Sequence, residues 1–191
     1  MGYVAFHAGF TRDIYATARV WMSKLHGSLA LASVIGCAMF AAVSGSSLAT
    51  AAAMGKLAVP EMLRHKYDPG LATGVVAASG TLGSLIPPSI LMILYGIFTE
   101  ESVGQLLMAG LIPGILSAMI YMAMVWIRAR ANPEFAPRGE PSKWSEKIVA
   151  LKGTWSILVL FIIVMGGIYS GFVTPTEAAA AGAAGAFFLG F

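Results

Sequence analysis

Two long apolar runs of this sequence are each interrupted near the middle by residues that oppose a helix. The first run, residues 27–59, contains "SGSS" at positions 44–47, and the second, residues 69–98, contains "GTLGSLIPPS" at positions 80–89. Glycines weaken a helix, and consecutive prolines remove two backbone donors and clash with the preceding turn. Because 58% of the 191 residues are hydrophobic and only 11% are charged, the runs suit a bilayer rather than water. The composition predicts an all-α polytopic membrane protein.

Charge placement bears on whether the first run crosses the membrane. Basic residues stand on both sides of it: Arg12, Arg19, Lys24, Lys56, Arg64 and Lys66. Basic residues favour the cytoplasmic side, so both ends are predicted to lie there. The two arms, about 15 and about 12 residues long, are also shorter than the roughly 20 residues that a crossing needs. Residues 27–59 are therefore predicted to form a re-entrant hairpin, with a single straight span as the alternative.

Hydropathy and helix signals divide the rest of the chain. Residues 1–26 are predicted to hold a partial helix and an interfacial amphipathic helix. Residues 128–152, which contain three prolines and six basic residues, are predicted to form a cytoplasmic loop that ends in an amphipathic lead-in at 144–151. Residues 174–191 are predicted to start a next helix, which the chain end truncates. Three segments are predicted to cross: residues 69–98 with a central break, residues 103–127 and residues 154–172.

The two breaks place hydroxyl and backbone oxygens at membrane depth. Unpaired backbone groups there cost several kcal/mol unless protein or a water-filled cavity receives them. In secondary transporters, discontinuous helices bind Na⁺ through carbonyls and hydroxyls, and the positive end of a half-helix faces an anionic substrate. Residues that can supply oxygens or allow close approach are Ser44, Gly45, Ser46, Ser47, Thr50, Gly80 and Gly83. This pattern predicts a sodium and solute site without a transition metal.

Other classes of protein fit the sequence less well. Small residues in membrane helices often serve close packing, but packing does not explain the paired prolines of the second break. "GSSLA" approaches the nucleophile pattern Gly-x-Ser-x-Gly, yet no Asp or Glu falls inside a span and the three histidines lie at the ends of apolar runs. A Walker A sequence is absent, and the basic residues do not form a nucleic-acid-binding stripe. No catalytic residue, cofactor or nucleic-acid partner is predicted, so energy has to come from an ion gradient or another subunit.

Four segments resemble a known family. "FAAVSGSSLATAAAMGKLAVPEM", "YDPGLATGVVAASGTLGSLIPPSILMILYG", "LLMAGLIPGIL" and "GGIYSGFVTPTEAAA" are similar to consecutive signature segments of the DctM-type large membrane subunit of TRAP transporters, the tripartite ATP-independent periplasmic permeases. The resemblance implies one inverted repeat of an elevator-type, sodium-driven importer of organic acids such as C4-dicarboxylates or sialic acid. It also implies a bacterial or archaeal inner membrane, a small four-helix membrane subunit and a periplasmic substrate-binding protein.

The resemblance also assigns roles to residues of both breaks. Residues 44–47 match the tip of the family's first re-entrant hairpin, and residues 80–89 match the broken helix packed against it. Together they would form the first Na⁺ site and half of the substrate site, which adds Thr81, Pro87, Pro88 and Ser89 to the candidate residues. The second repeat is expected to follow Phe191, so the chain is expected to be the N-terminal part of a subunit. The rival interpretations are a sodium-coupled divalent-anion carrier without a binding protein and a non-transporting membrane scaffold.

Overall fold

Helix is the regular structure of the described chain. The computed structural model describes residues 2–137, 139 and 142–190, which contain α-helices and one short 3₁₀ helix. The α-helices are α1 (Gly2–His7), α2 (Phe10–Met22), α3 (Ser28–Ser44), α4 (Ser47–Arg64), α5 (Pro69–Gly80), α6 (Ile90–Thr99), α7 (Val103–Ala131), α8 (Trp144–Tyr169) and α9 (Pro175–Gly190). The prediction of an all-α chain is confirmed for these residues.

Two helices of the described chain are long and apolar enough to cross a membrane. They are α7, with 29 residues, and α8, with 26. At 1.5 Å per residue they measure about 44 and about 39 Å, which exceeds the roughly 30 Å of a hydrocarbon core. Both leave most of their apolar surface uncovered. The helices α3 and α6 are apolar as well, but they are shorter.

The first interrupted run forms an antiparallel pair of helices, α3 and α4. A Cβ added at Gly36 of α3 would lie 2.6 Å from the Met54 methyl group of α4, so the two helices touch closely. Nearer the open end of the pair, the Ser33 hydroxyl lies 3.9 Å from the sulfur of Met62. The second helix passes through Pro60 and ends at Arg64 instead of ending at residue 59. The entry and return of this pair on one side of a membrane stays a prediction.

The second interrupted run is a broken helix. The first half, α5, begins at Pro69 behind an Asp68 cap and ends at Gly80, and a 3₁₀ turn follows over Thr81–Ser84. The chain then passes through Pro87 and Pro88, joined by a cis peptide bond, before α6 begins at Ile90. The interruption lies where two glycines and two prolines oppose a continuous helix.

The loop predicted at residues 128–152 is shorter than expected. Helix α7 continues to Ala131, and α8 begins at Trp144 and runs without interruption through the predicted lead-in. Arg128 and Arg130 suit the last turn of α7, since cations are stabilised at a helix C-terminus. No proline separates the lead-in from the apolar helix, so the two segments merge. The predicted crossings at 103–127 and 154–172 are thus parts of longer helices, and α8 ends at Tyr169 because Gly171 adopts a positive φ of 72°.

The amphipathic helix α2 packs against protein on its apolar side. The side chains of Ile14 and Tyr15 are buried, and α2 contacts α3 and α8. Hydrogen bonds join α2 to the first half of α8: Thr17 Oγ1 donates to the Ala150 carbonyl at 2.8 Å, and Trp21 Nε1 donates to the Lys147 carbonyl at 3.3 Å. The Ser142 hydroxyl, just before α8, donates to the Val20 carbonyl of α2. The helix therefore has little apolar surface left for lipid on that side, and its position at a membrane interface stays a prediction.

Tyr67 connects three segments at one end of the molecule. Tyr67 lies in the connection from α4 to α5, and its side chain is buried. Its hydroxyl donates to the Pro137 carbonyl at 3.0 Å and accepts from the Leu29 amide at 3.2 Å. Burial raises the pKa of Tyr67, so the hydroxyl stays neutral and can both donate and accept. Since Leu29 lies in the first turn of α3, Tyr67 satisfies a backbone amide that the helix itself leaves without a partner.

We expect Tyr67→Phe to destabilise the complete permease that contains this chain. The change leaves the buried Leu29 amide without an acceptor, which costs about 1 to 3 kcal/mol. Thermal unfolding in detergent should show a lower midpoint for this variant. The control is Tyr95→Phe, because Tyr95 is 58% exposed and its loss of a hydroxyl should leave the midpoint unchanged. Equal midpoints for both variants would contradict the role given to Tyr67.

Candidate functional site

The tip between α3 and α4 is a two-residue turn. Gly45 ends α3 with a φ of 65°, a conformation that favours glycine, and its amide donates to the Ala41 carbonyl at 2.9 Å. Ser46 then caps α4, with its hydroxyl accepting from the Ala49 amide at 3.3 Å. Both helix ends therefore meet within the "SGSS" motif, which the sequence identified as the break.

Three hydroxyl-bearing residues form a small network behind this turn. Thr50 is completely buried, and its hydroxyl donates to the Ser46 carbonyl at 2.8 Å. Because Thr50 has one hydroxyl hydrogen, the 2.9 Å contact between the Ser44 and Thr50 hydroxyls is donated by Ser44. The Ser44 oxygen also accepts a long hydrogen bond from the Ser46 amide at 3.5 Å, and its remaining lone pair can accept a cation. Thr50 thus orients Ser44, and its own role as a ligand stays a prediction.

The second break packs directly on the tip. The Ile90 amide, at the start of α6, donates to the Gly45 carbonyl at 3.0 Å. A Cβ added at Gly45 would overlap the Pro88 carbonyl oxygen. At Gly83 an added Cβ would lie 2.8 Å from the Ser47 amide nitrogen, too close for two non-bonded heavy atoms. Glycine at these positions lets the two breaks touch backbone to backbone.

Gly80 and Ser89 complete the contact between the two runs. An added Cβ at Gly80 would lie 2.7 Å from the Ala51 Cβ of α4, so the end of α5 also lies against the hairpin. Ser89 is completely buried, and its hydroxyl donates to the Ser84 carbonyl at 2.8 Å and accepts from the Met92 amide at 3.4 Å. Ser89 thus caps α6 as Ser46 caps α4, and the N-terminal ends of both helices lie at the site.

The structure does not bring every predicted residue to the same place. Thr81 is exposed, and its hydroxyl donates to the Ala78 carbonyl at 2.6 Å and lies 3.3 Å from the Tyr121 hydroxyl of α7. Its side chain therefore contacts α7 instead of the hairpin hydroxyls. Pro87 is buried beside Pro88 and shapes the extended segment before α6.

Sequence reasoning missed some residues next to the breaks. Ala51 and Ser84 contact the predicted residues Gly80 and Ser89, but neither has a chemical group that distinguishes it from packing residues in the sequence. Ser79 is buried, and its hydroxyl has no hydrogen-bond partner within the described chain. Its position directly before Gly80 is the signal that could have included it.

The oxygens of the site are neutral. Among the described residues, no group of three or more His, Cys, Asp or Glu side chains could hold a metal ion. The hydroxyl oxygens and the last carbonyls of α3 and α5 carry only partial negative charge, and the N-terminal ends of α4 and α6 carry partial positive charge. The arrangement can therefore offer oxygen ligands to a hard cation and backbone amides to an anion in neighbouring places.

Discontinuous helices that meet at their broken ends, in a chain with helices long enough to cross a bilayer, are an architecture of secondary transporters. The sequence profile of the family described as "Tripartite ATP-independent periplasmic transporter, DctM component" matches residues 1–191. This chain belongs to that family, which consists of transporter permeases and not of enzymes.

Curated relatives support the same family. The "C4-dicarboxylate TRAP transporter large permease protein DctM" is 45% identical in Pseudomonas aeruginosa, over 92% of this chain and 40% of the relative. The protein of the same description in Vibrio cholerae is 41% identical over 95% of this chain and 40% of the relative. The "Sialic acid TRAP transporter large permease protein SiaM" of Vibrio cholerae is 35% identical over 99% of this chain and 44% of the relative. The chain spans about two fifths of the length of these relatives.

We expect Gly80→Ala and Gly83→Ala to destabilise the complete permease by about 1 to 3 kcal/mol each, because the added methyl group forces the two breaks apart. The matched control is Gly166→Ala in α8, where an added Cβ meets nothing within 4 Å. That change should be neutral or stabilising, since alanine favours a helix over glycine by about 1 kcal/mol. Thermal unfolding in detergent measures all three. A midpoint for Gly83→Ala at or above that of the control would show that the breaks are not in contact.

Proposed function

We propose that the complete permease containing this chain imports C4-dicarboxylates or related organic acids together with Na⁺. In this proposal the joined breaks form the first sodium site and half of the substrate site. The observation that carries it is the hydrogen bond from the Ile90 amide to the Gly45 carbonyl, because it joins two discontinuous helices at their broken ends. Family membership and the names of the relatives support the transport of organic acids.

Sodium would bind at the carbonyl ends of the half-helices. The Ser44 hydroxyl oxygen has a lone pair available beside its contact with the Ser46 amide, and the last carbonyls of α3 lack partners within their own helix. The end of α5 and the following 3₁₀ turn lie against the hairpin at Gly80 and Gly83, so their carbonyls would supply the ligands from the second run. Neutral oxygens suit a monovalent cation that has to bind and leave during each transport cycle.

The substrate would bind at the amide ends of the half-helices. The N-terminal ends of α4 and α6 each carry about half a positive charge, which favours a carboxylate. Ser46 and Ser89 cap these ends and can add hydroxyl donors when their own contacts open. Because a C4-dicarboxylate carries two negative charges, the second inverted repeat would supply the other half of its site.

The proposed system has further components and a cell inner membrane as its location. A small four-helix membrane subunit would stabilise the permease, and a periplasmic substrate-binding protein would deliver the organic acid. The two repeats would move as an elevator, which carries sodium and substrate together across the bilayer. The relatives named as TRAP large permeases support this assembly for the whole protein.

Reconstitution of the complete permease, its small subunit and the binding protein in liposomes tests the proposal. We expect uptake of labelled succinate when a Na⁺ gradient points inward, and none when K⁺ replaces Na⁺. Uptake that persists without the binding protein would instead indicate a carrier of the other sodium-coupled class.

Variants at the two breaks separate a transporter from a membrane scaffold. We expect Gly83→Leu to abolish this uptake while membrane insertion persists, since the side chain would displace the backbone of Ser46 and Ser47. The control Gly166→Leu adds the same side chain at a position where its Cβ has nothing within 4 Å, and it should retain uptake. Full uptake by the Gly83 variant would contradict the proposed site.

A change at Thr50 tests how the hydroxyl network serves sodium. Thr50→Val removes the acceptor of the Ser44 hydrogen, so the Ser44 oxygen loses its orientation and the Na⁺ concentration for half-maximal uptake should rise about tenfold. Thr50→Ser keeps the hydroxyl and should restore a value near that of the unchanged protein. Thr73→Val is the control, because Thr73 makes the same kind of bond to the Pro69 carbonyl in an exposed turn of α5. Equal sodium dependence in the Thr50 and Thr73 valine variants would refute this role.

A further inference from the structure

A cavity of about 350 Å³ lies between α5 and α7, at the opposite end of α5 from the break. Its walls are largely apolar, with Leu71 and Val75 on one side and Met124 and Phe135 on the other. Two charged side chains, Asp68 and Arg128, also line it. No part of the sodium and substrate site described above uses these residues.

The charge pattern of α7 predicts that this cavity lies near a membrane boundary. Residues 103–127 contain no charged side chain, and Arg128 is the first charge that follows them. An uncharged helix of this length is sufficient to cross the hydrocarbon core, which needs roughly 20 residues. Arg128 is therefore expected at the level of the phospholipid phosphate groups, on the side that basic residues favour.

Arg128 is available for an external anion. It is exposed and forms no ion pair with any described residue. The neighbouring Arg130 differs, because its guanidinium lies 5.5 Å from the centre of the Trp126 ring and does not line the cavity. A guanidinium group binds the oxygens of a phosphate through two parallel hydrogen bonds.

Asp68 supplies a negative charge to the same cavity. One of its carboxylate oxygens accepts a hydrogen bond from the Leu71 amide at 2.8 Å and caps α5. The other carboxylate oxygen has no hydrogen-bond partner among the described residues. Since the two charged residues of the cavity have opposite signs, its lining matches a group that carries both charges. A purely anionic group would gain from Arg128 but would be repelled by Asp68.

The remaining wall has room for a hydrocarbon chain. Gly70 and Gly74 lie one turn apart on the side of α5 that lines the cavity. A Cβ added at Gly74 would meet nothing within 4 Å, so the space beside it is open. An acyl chain in this space would contact Leu71 and Met124 in place of the missing side chain.

We propose that this cavity binds a zwitterionic phospholipid from the surrounding bilayer. The phosphate is held by Arg128, the ammonium group by Asp68, and an acyl chain lies along Gly74. Phosphatidylethanolamine fits better than phosphatidylcholine, because its primary ammonium can donate hydrogen bonds to the carboxylate and a trimethylated ammonium cannot. Asn132, which also lines the cavity, adds an amide that can donate to the phosphate.

Native mass spectrometry of the complete permease with its small subunit tests this site. Phosphatidylethanolamine, phosphatidylcholine and phosphatidylglycerol with identical acyl chains are added separately, and the affinity of the tightest-bound lipid is measured. We expect phosphatidylethanolamine to bind most tightly, and Arg128→Gln to weaken it about tenfold through the loss of a charge-assisted hydrogen bond. The matched control Arg130→Gln removes the same charge outside the cavity and should change the affinity less than twofold.

Two more variants separate the headgroup from the chain. Asp68→Asn keeps a residue that caps α5 equally well, so the fold is retained and only the preference for phosphatidylethanolamine over phosphatidylcholine should disappear. Gly74→Leu adds a side chain whose Cβ has nothing within 4 Å, so it extends into the open space and should reduce the binding of all three lipids. Unchanged thermal unfolding of each variant confirms that the fold persists.

Several results would overturn the proposal. Equal lipid binding by the Arg128 and Arg130 variants would mean that the cavity is not the lipid site. The proposal would also fail if no lipid depended on Arg128 for its binding, as would happen if another part of the permease covered the cavity. Tighter binding of phosphatidylglycerol would show that Asp68 does not contribute. Displacement of the lipid by millimolar inorganic phosphate alone would indicate a site for free phosphate. These measurements do not require transport, so a failure of the lipid proposal can be distinguished from a failure of the proposed sodium-coupled uptake.

Discussion

The need to satisfy backbone polar groups away from water governs this structure. Two apolar runs stop being helical midway, and each interruption exposes amides and carbonyls that lipid could not accept. The Ile90 amide and the Gly45 carbonyl pair across the two runs, while Ser46 and Ser89 cap the helices that restart. The second break therefore supplies a partner for a carbonyl of the first, and each restarting helix is capped by a serine of its own run. The glycines follow from this pairing, since backbone can contact backbone only where no side chain intervenes.

The same pairing gives the proposed site its electrostatic character. Four helix ends lie close together without any carboxylate or imidazole from the described chain, so partial charges from the backbone determine the local potential. Charged side chains lie instead toward the opposite end of the hairpin, where Arg19 and Glu61 form an ion pair at 2.6 Å and Tyr67 joins three segments. The proposed binding site and the contacts that hold the helices together thus lie at opposite ends of this unit.

Particular residues show how far sequence reasoning reached. The glycine and proline pattern located both breaks, and hydropathy identified the two helices long enough to cross a membrane. The predicted loop between those helices was too long. Arg128 and the lead-in at residues 144–151 are polar, as in a loop, but in the structure they belong to α7 and α8. The sequence also could not predict that Thr50 and Thr81 make different contacts. Both are threonines near a break, but one is buried within the hairpin and the other contacts Tyr121.

The sequence by itself determined the helical class, the positions of both breaks and the family, since these depend on local composition and on motifs that lie within single segments. Only the tertiary structure decided which oxygens stay available and which are already paired. It also brought Asp68 and Arg128, 60 positions apart, to one cavity. Such outcomes depend on which helix faces are in contact, and helical periodicity alone does not specify the neighbour that a face will meet.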